Sequence, residues 1–365
     1  MVLVSIFGDF HSSLVPILYF YKKEITAHII VYDDNPYTRR RVARFVDGQQ
    51  KFLRYSHNNG KREIDFTIET VAVDETSYED IVASFRRIQN RTSASNLFLN
   101  ATDGNNILSI ILSSLFLQNG SQVIVYDRYA NTLELLTSGG MRKRHLDENL
   151  DIRSHLLLKG YDILSFTPHE TIRKRAGTIQ TLMNDPYLFK RYADGTLEND
   201  QLRRRFDMLL DQIGKRNDTA YIRGTLFEEY IYLLLRTHFQ FDDLLTSAEI
   251  AVDTDIKNEF DILMIKENHL HMIECKFVNF LNGEHYVYKS GTIIDYLDDD
   301  GKAMILSIGG TNERVTKSGK KRVQFTRADR KRAQYQQIHV YQSRLFDKED
   351  FLNTVERWFE VERIS

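Results

Sequence analysis

The sequence has few of the residues that cross-link a chain or bind soft metals. Its 365 residues include one cysteine, Cys275, which excludes an internal disulfide and a cysteine-rich zinc site. A single cysteine fits a reducing compartment. No apolar run approaches the ~20 residues that span a bilayer, and the start, MVLVSIFGDFHSS, lacks the basic region and cleavage site of a signal peptide. We therefore expect a soluble, cytoplasmic protein with no membrane partner.

The chain also lacks an excess of charge of either sign. Lysine and arginine total 49 and aspartate and glutamate 51, for a net charge of −2. This balance excludes a protein that holds nucleic acid by bulk charge, so any site for a polyanion must be a local patch. Hydrophobic residues make up 42% of the sequence, which is enough for large cores, and the length suggests two domains.

Strand-like and helix-like segments alternate in the first third of the chain. Strands are predicted at residues 2–7, 27–32, 65–73, 96–101 and 122–126, with helices at 14–21, 36–52, 78–88 and 105–116. This order predicts an α/β fold with a Rossmann-like, doubly wound and mostly parallel sheet.

Two polar loops follow strands of this predicted sheet. In doubly wound sheets, ligands bind beyond the carboxyl ends of the strands, where the strand order reverses. The loops contain the candidate ligand-binding residues Gly8, Asp9, Phe10, His11, Ser12 and Ser13, and Thr102, Asp103, Gly104, Asn105 and Asn106. Their small and amide-bearing side chains suit a phosphate at a helix start. Neither GxGxxG nor GxxxxGK[ST] is present, and ordinary strand-to-helix turns are the alternative.

The middle of the chain is helical in pattern and highly charged between residues 168 and 216. We interpret it as a connector or a segment that supports a dimer. The sequence thus predicts a ligand-binding domain at residues 1–166, a helical connector at 167–219 and a second domain at 220–365.

The second domain contains a predicted hairpin with charged residues in register. Residues 258–265 and 270–276 have the pattern of two strands joined by a turn centred on Glu267 and Asn268. That turn would set Asp261 directly across from Glu274, with Lys276 on the same face and Cys275 on the packed face. Opposed carboxylates destabilise a hairpin unless a divalent cation lies between them. Lys276 would orient or deprotonate a water and stabilise developing charge, as in metal-assisted phosphodiester hydrolysis.

An apolar helix upstream of the hairpin supplies a third carboxylate. It begins near Gly224 and runs to about residue 239. At 100° per residue, Glu228 lies at the edge of the apolar stripe, whereas Glu229 lies on the solvent face near Arg236. A carboxylate at the border of a core requires a metal or a basic partner, so Glu228 is the predicted functional residue.

Simpler interpretations exist for each of these features. Glu274 and Lys276 are also compatible with an exposed, charged strand face. His269 and His271 flank the turn and are interpreted as structural rather than as metal ligands. The run 298–300, three aspartates before Gly301, is interpreted as a solvated acidic turn.

A basic segment follows within this otherwise neutral protein. Nine lysines or arginines lie between Arg314 and Arg332, against the single acidic residue Asp329, and Phe325 lies among them. Such an excess suits phosphate contacts; a solvated helix face with a loop at 316–321 is the alternative. The predicted nucleic-acid-binding residues are Lys289, Lys320, Lys321, Arg322, Arg327 and Arg330.

The order Glu228, Asp261, Glu274, Lys276 resembles the PD-(D/E)xK nuclease superfamily, with Phe260 in place of the proline. Combined with the Thr102–Asn106 loop in a Rossmann-like domain, the whole chain resembles the two-domain effector nucleases of type III CRISPR antiviral defence. In that family a CRISPR-associated Rossmann-fold (CARF) sensor domain is fused to a nuclease domain of restriction-endonuclease-like α/β/α fold.

This resemblance implies a homodimer whose CARF domains bind cyclic oligoadenylate, with tetra-adenylate as the first candidate. Binding would activate an endonuclease that uses Mn²⁺ or Mg²⁺ to cut or nick DNA, RNA or both. The catalytic set would be Glu228, Asp261, Glu274 and Lys276, with the three carboxylates as metal ligands. Two alternatives stay open: a nuclease-dead regulator that binds cyclic nucleotide, and a ligand-independent restriction or repair nuclease.

The sensor loop departs from the Thr-Gly-Gly-Thr-Lys form that is usual in this family. Asp103, Asn105 and Asn106 stand where Gly, Thr and Lys are expected. An expected phosphate-binding cation is therefore missing and an anion takes a place in the loop, which leaves the ring size of the ligand open.

Overall fold

The protein divides into two compact units, Met1–Asp162 and Ile163–Ser365. The computed structural model describes residues 1–8, 13–91, 93, 96–104, 106–253, 256–277, 281–308, 313–315 and 321–364. Within those ranges, no helix is both long and apolar enough to cross a membrane.

The first unit alternates strands and helices, as the sequence predicts. Its elements are β1 (Val2–Phe7), α1 (Leu14–Phe20), β2 (Ala27–Asp33), α2 (Pro36–Asn58), β3 (Thr67–Val73), α3 (Tyr78–Gln89), β4 (Leu97–Asn100), α4 (Asn106–Gln118), β5 (Gln122–Asp127), β6 (Thr132–Thr137), β7 (Gly140–His145) and α5 (Ile152–Leu158).

The seven strands form one sheet in the order β3-β2-β1-β4-β5-β6-β7. The strands from β3 to β5 are parallel, while β6 and β7 are antiparallel additions at one edge. The order reverses between the neighbours β1 and β4, so the loops after these two strands flank the switch point of a doubly wound sheet.

Local signals in the sequence explain several helix starts in this unit. Asn35 precedes Pro36 and accepts a hydrogen bond from the Thr38 amide at 2.8 Å, which combines a side-chain cap with a proline in the first turn. Ser77 caps α3 through the Asp80 amide in the same way. The apolar β1 strand is buried along its whole length between the helices.

The second unit begins with a strand and a group of short helices. Its elements are β8 (Asp162–Thr167), α6 (His169–Arg173), α7 (Ala176–Leu182), α8 (Pro186–Ala193), α9 (Asp200–Gln212), a π-helical turn (Tyr221–Thr225), α10 (Leu226–His238), β9 (Asp243–Asp253), β10 (Ile256–Lys266), β11 (His269–Phe277), α11 (Gly283–Leu297), β12 (Ala303–Ile308), β13 (Glu313–Val315), β14 (Lys321–Val323), α12 (Arg327–Tyr335), β15 (Ile338–Ser343) and α13 (Lys348–Phe359).

Six of these strands form a mixed sheet in the order β15-β12-β11-β10-β9-β8. Helices α10 and α13 share a hydrophobic core with Ile262 and Ile273 on one face, while α11 lies against β11 and β12. Helices on both faces of a mixed sheet make an α/β/α layer structure. The predicted fold class, a Rossmann-like sheet followed by a restriction-endonuclease-like α/β/α unit, is confirmed.

Candidate active site and ligand loops

The β10–β11 hairpin has the register that the sequence predicts. Glu267 and Asn268 form its two-residue turn with positive φ angles of 52° and 68°, as hairpin turns of this length require. The paired positions run from Lys266 with His269 to Ile262 with Ile273, and the next positions outward are Asp261 and Glu274. The turn thus brings two carboxylates to the same end of the hairpin.

Lys276 lies between these two carboxylates. Its ammonium is 3.0 Å from Asp261 Oδ2 and 2.9 Å from Glu274 Oε1, and its side chain is 18% exposed. Burial lowers the pKa of Lys276, but Asp261 and Glu274 together outweigh burial and raise it. Lys276 is therefore a cation in this arrangement and ties both carboxylates together.

Asp261 is held on several sides. Its carboxylate accepts a hydrogen bond from the Cys275 amide at 2.6 Å, and its carbonyl accepts one from the Thr246 hydroxyl at 2.7 Å. Burial, followed by the charge of Glu274, raises the pKa of Asp261 to about 6 against the opposing effect of Lys276. The Asp261 carboxylate is thus held in place by hydrogen bonds, while burial and the charge of Glu274 disfavour its ionised form.

Glu228 projects toward the same charges from the first turn of α10. Burial, followed by the charge of Asp261, raises the pKa of Glu228 to about 8, and Lys276 opposes that rise. Its carboxylate accepts a hydrogen bond from the Ser247 hydroxyl at 3.3 Å. A pKa so far above the ordinary value marks a carboxylate whose charged form is disfavoured by burial, as is common at functional sites.

Glu274 has a second basic partner, which the sequence places close after the Glu274 strand as a further cation near the site. Lys289 on α11 lies 3.2 Å from Glu274 Oε1, and its contact with nucleic acid stays a prediction. Tyr286, one helical turn earlier, lies beneath the Lys276 ammonium at 5.5 Å from the ring centroid. A lysine on a helix just after an ExK strand was the available signal for this contact.

The prediction for Glu229 is wrong. Glu229 is not on a solvent face but fully buried, with 0% exposure, and it pairs with Arg175 and with the Tyr221 hydroxyl. The short helices of residues 169–212 pack on that side of α10 and share its core. The helical wheel could not include a partner that lies 54 residues upstream.

The oxygen ligands gathered around Asp261 and Glu274 suit a hard divalent cation. Glu228, Asp261 and Glu274 offer oxygen ligands only, which Mg²⁺ and Mn²⁺ prefer, and three carboxylates face the two ammonium groups of Lys276 and Lys289. When all three carboxylates are ionised they carry one negative charge more than the two ammonium groups balance, and burial is the main cause that raises the pKa of Glu228 and of Asp261. A bound divalent cation would favour the ionised carboxylates.

A second group of potential metal ligands lies at the other end of the hairpin. His269, Asp298 and Asp300 place one ligand atom each within 4.8 Å of one another. The sequence interpretation of a solvated turn is wrong for Asp298, which is 2% exposed and accepts hydrogen bonds from the amides of Leu270 and Asp300. These bonds join the turn before β12 to the start of β11, so Asp298 has a structural task.

Stability in the absence of metal is expected to depend on pH through Glu228 and Asp261. Because their folded-state pKa values, about 8 and about 6, exceed those of the unfolded chain, they stabilise the fold below pH ~4 and lose this contribution as the pH rises toward 8. In Glu228→Gln, the free energy of unfolding is expected to fall by about 2–3 kcal/mol less over this pH range than it does in the wild type. The measurement is Tm in EDTA from pH 5 to 8.5, and parallel curves for the two proteins would contradict the prediction.

The basic segment is only partly within the described residues. Lys320 lies outside them, and Lys321 and Arg322 are described as part of the β14 backbone. Arg327 and Arg330 are exposed on α12. Phe325 is 3% exposed and packs in the interior, so it is not an aromatic residue available to a base, whereas Tyr335 is 87% exposed.

In the first unit, the two predicted ligand loops meet at the switch point. Asp9, Phe10, His11, Ser12 and Asn105 lie outside the described residues. Gly8 follows β1, Ser13 precedes α1, and Thr102, Asp103 and Gly104 lie between β4 and α4, which begins at Asn106. The Thr102 hydroxyl accepts a hydrogen bond from the Tyr126 amide at 2.8 Å, so Thr102 ties the second loop to β5.

Asp103 fastens the two loops to each other. Its carboxylate accepts a hydrogen bond from the Gly8 amide at 2.9 Å, and the residue is 6% exposed. The anion that the sequence places in the loop therefore serves the backbone of the neighbouring loop. Gly104 follows with a φ of +105°, a conformation that favours glycine.

Gly8→Ala is expected to separate these loops. A Cβ at Gly8 would lie 2.5 Å from the Gly104 backbone and 2.7 Å from Asp103 Oδ1, so the loops must move apart at a cost of about 1–3 kcal/mol. The measurement is calorimetry with cyclic tetra-adenylate, the ligand that the resemblance implies, and we expect its binding to weaken at least about tenfold. Gly139→Ala is the matched control, since its Cβ would meet nothing closer than 3.8 Å; equal affinity in both variants would contradict the prediction.

Comparison with known proteins gives a domain-family match for part of the chain and a fold for nearly all of it. Residues 215–336 match the family model of the Card1-like endonuclease domain. The chain is similar to Can2 from Sulfobacillus thermosulfidooxidans, whose structure is in complex with cyclic tetra-adenylate, at 20% identity and a TM-score of 0.70 over 98% of each chain. It is also similar to protein VC1899 from Vibrio cholerae, at 16% identity and a TM-score of 0.69 over 98% of each chain.

No curated protein matches the sequence. The matched segment 215–336 nevertheless contains all four residues of the predicted catalytic order, Glu228, Asp261, Glu274 and Lys276. The chain thus shares the fold of Can2 along nearly its whole length, and its second unit carries the match to the Card1-like endonuclease domain, as the resemblance to a two-domain effector nuclease predicts.

Proposed function

We propose that the protein is an endonuclease of type III CRISPR defence that is activated by cyclic oligoadenylate and depends on a divalent metal ion. The observation that carries the proposal is the arrangement of Asp261, Glu274 and Lys276 at one end of the β10–β11 hairpin, with Glu228 directed at the same charges. That arrangement lies inside the segment that matches the Card1-like endonuclease domain.

Glu228, Asp261 and Glu274 would hold the metal ion, which is Mn²⁺ or Mg²⁺. When bound, the ion would polarise the scissile phosphodiester and lower the pKa of an attacking water. The Cys275 amide keeps the Asp261 carboxylate oriented through its hydrogen bond of 2.6 Å. Lys289 balances part of the charge of Glu274.

Lys276 would stabilise the negative charge that develops on the phosphate. The two carboxylates raise its pKa, which disfavours loss of its proton and therefore a role as general base. Of the two tasks that the sequence suggests for this lysine, the structure favours charge stabilisation. An ammonium 3.0 Å from the Asp261 carboxylate is close enough to reach a phosphate oxygen bound beside the same group.

The substrate would be DNA, RNA or both, held by phosphate contacts. Arg327 and Arg330 present exposed guanidinium groups on α12, and Arg332 stacks on the Tyr288 ring at 4.2 Å from its centroid. Lys320, Lys321 and Arg322 stay candidates from the sequence. A local basic patch of this kind supplies affinity without base specificity.

The first unit would be the sensor, within the predicted boundaries of 1–166, followed by a connector at 167–219 and the nuclease at 220–365. The loops at Gly8 and Asp103 lie at the switch point of the sheet, where ligands of doubly wound folds bind. Cyclic tetra-adenylate is the first candidate because the similar protein Can2 is in complex with it. The ring's symmetry suits a homodimer, in which both copies contribute one sensor.

The test is cleavage of supercoiled plasmid and of single-stranded RNA by purified protein with Mn²⁺. Each substrate is incubated without a ring, with cyclic tetra-adenylate and with cyclic hexa-adenylate, and a Mg²⁺ series runs in parallel. We expect cleavage that requires the metal and one of the rings.

Other outcomes favour the alternatives. Equal cleavage with and without a ring would indicate a ligand-independent nuclease whose first unit is a scaffold. Ring binding with no cleavage of either substrate at any Mn²⁺ concentration would indicate a nuclease-dead regulator.

A further inference from the structure

A buried ion pair lies directly beside the proposed metal ligand Glu228. Glu229, the next residue on α10, is 0% exposed. Its carboxylate pairs with the Arg175 guanidinium and accepts a hydrogen bond from the Tyr221 hydroxyl at 2.8 Å. A fully buried carboxylate is costly unless it is paired and hydrogen-bonded, so these contacts allow essentially one position for Glu229.

The three partners come from three separate elements of the second unit. Arg175 precedes α7, Tyr221 begins the π-helical turn, and Glu229 lies in the first turn of α10. The Arg175 guanidinium also stacks on the Tyr221 ring at 5.2 Å, and Lys215 stacks on the same ring at 4.9 Å. π-helical turns are rare and occur often at functional sites; this turn is fastened at the point where α10 begins.

Glu228 depends on its backbone for its position. It is partly exposed, and its one hydrogen bond among the described residues comes from the Ser247 hydroxyl at a long 3.3 Å. Adjacent helical residues are related by a fixed rotation of about 100° and a rise of about 1.5 Å. Fixing Glu229 therefore fixes the direction in which Glu228 leaves the helix.

We propose that Arg175 and Tyr221, acting through Glu229, are positioning residues that direct Glu228 to the metal. The group acts as a clamp on the first turn of α10, and it makes the segment before α10 part of the active-site support. The proposal rests on the proposed function, because the role of Glu228 as a metal ligand belongs to it. Positioning groups behind a metal ligand typically change metal affinity 10- to 100-fold.

The experiment compares Tyr221→Phe with Tyr341→Phe in the full chain. Both changes remove one hydroxyl that donates to a carboxylate: Tyr221 to Glu229 at 2.8 Å and Tyr341 to Asp350 at 2.9 Å. Mn²⁺ affinity is measured by the loss of the free-ion electron paramagnetic resonance signal, together with Tm and the cleavage rate. We expect Tyr221→Phe to weaken Mn²⁺ binding about tenfold, and Tyr341→Phe to leave it unchanged at a similar loss of Tm.

A second pair of variants distinguishes a loss of positioning from a general loss of stability. Arg175→Lys retains a cation beside Glu229 and is expected to retain most of the Mn²⁺ affinity, whereas Arg175→Met is expected to lose it. Equal Mn²⁺ affinity in wild type, Tyr221→Phe and Arg175→Met would overturn the clamp.

The readouts separate this inference from the proposed function. Weaker Mn²⁺ binding in Tyr221→Phe upholds the clamp even when the wild type cuts no substrate, and that failure then counts against the proposed function alone. Metal- and ring-dependent cleavage by the wild type, with Mn²⁺ binding unchanged in Tyr221→Phe, overturns the clamp alone. Absence of Mn²⁺ binding in the wild type overturns the clamp and the metal dependence together.

Discussion

Glu274→Gln is expected to retain the fold and to lose at least about 10³-fold in cleavage rate. Glutamine has the size of glutamate but cannot supply the charge that a metal ion requires. Glu274 is 3% exposed and contacts both Lys276 and Lys289, so the variant also removes the carboxylate that these two ammonium groups share. The measurement is the initial rate of plasmid nicking with Mn²⁺ and the activating ring.

The matched control is Glu356→Gln on α13. Glu356 pairs with Arg363 at 3.1 Å and is 44% exposed, away from the hairpin end. Its replacement should change the cleavage rate less than about twofold. A Glu274→Gln rate within tenfold of the control would contradict the assignment of Glu274 as a metal ligand.

Lys276→Met is expected to cause a loss of similar size by a different route. Without the ammonium, Asp261 and Glu274 face each other, and Lys289 still contacts Glu274 at 3.2 Å. The metal-free protein should lose about 3 kcal/mol of stability at pH 8, and less at pH 5, where Asp261, whose pKa is raised, can take up a proton. Cleavage should fall about 10³-fold because the developing charge on the phosphate loses its partner.

Mn²⁺ distinguishes Lys276→Met from Glu274→Gln. The ion can neutralise the carboxylates that Lys276→Met leaves exposed to each other, so Mn²⁺ should raise the Tm of this variant more than that of the wild type. Added Mn²⁺ should raise the Tm of Glu274→Gln less than that of the wild type. A Lys276→Met protein that cuts at the wild-type rate would contradict the role of Lys276 in stabilising charge.

The positions of Asp261, Glu274 and Lys276 at the open end of the β10–β11 hairpin were predictable from the sequence because they depend on local features. A two-residue turn at Glu267 and Asn268 fixes the register, and the period of two along a strand then fixes the face of Glu274 and Lys276. The doubly wound sheet was predictable for a similar reason, since alternating strands and helices leave few topologies that bury both faces of a parallel sheet.

The errors concern residues whose partners are distant in sequence. A helical wheel predicts Glu229 on the surface. In the structure Glu229 is buried, because the segment around Arg175 packs against it. The sequence also did not predict that the Asp103 carboxylate accepts a hydrogen bond from the Gly8 amide, 95 residues away. Periodicity describes a single element, whereas these roles arise from contacts between elements.

Asp298 illustrates the same limit at the opposite end of the hairpin. Three successive aspartates before a glycine are typical of an exposed turn, yet the Asp298 carboxylate is buried because it accepts the Leu270 amide of β11. The resulting group with His269 and Asp300 is compact enough to accept a cation. It is a second place where the metal could bind, besides the carboxylates of Asp261 and Glu274, and a binding assay on the wild type alone does not distinguish the two.

The most direct test is therefore to locate Mn²⁺ by anomalous scattering in crystals grown with the ion. The account predicts a peak about 2.0–2.2 Å from carboxylate oxygens of Asp261 and Glu274, which disappears in Glu274→Gln crystals. A peak found instead at His269, Asp298 and Asp300, with none at the Asp261 end of the hairpin, would contradict it.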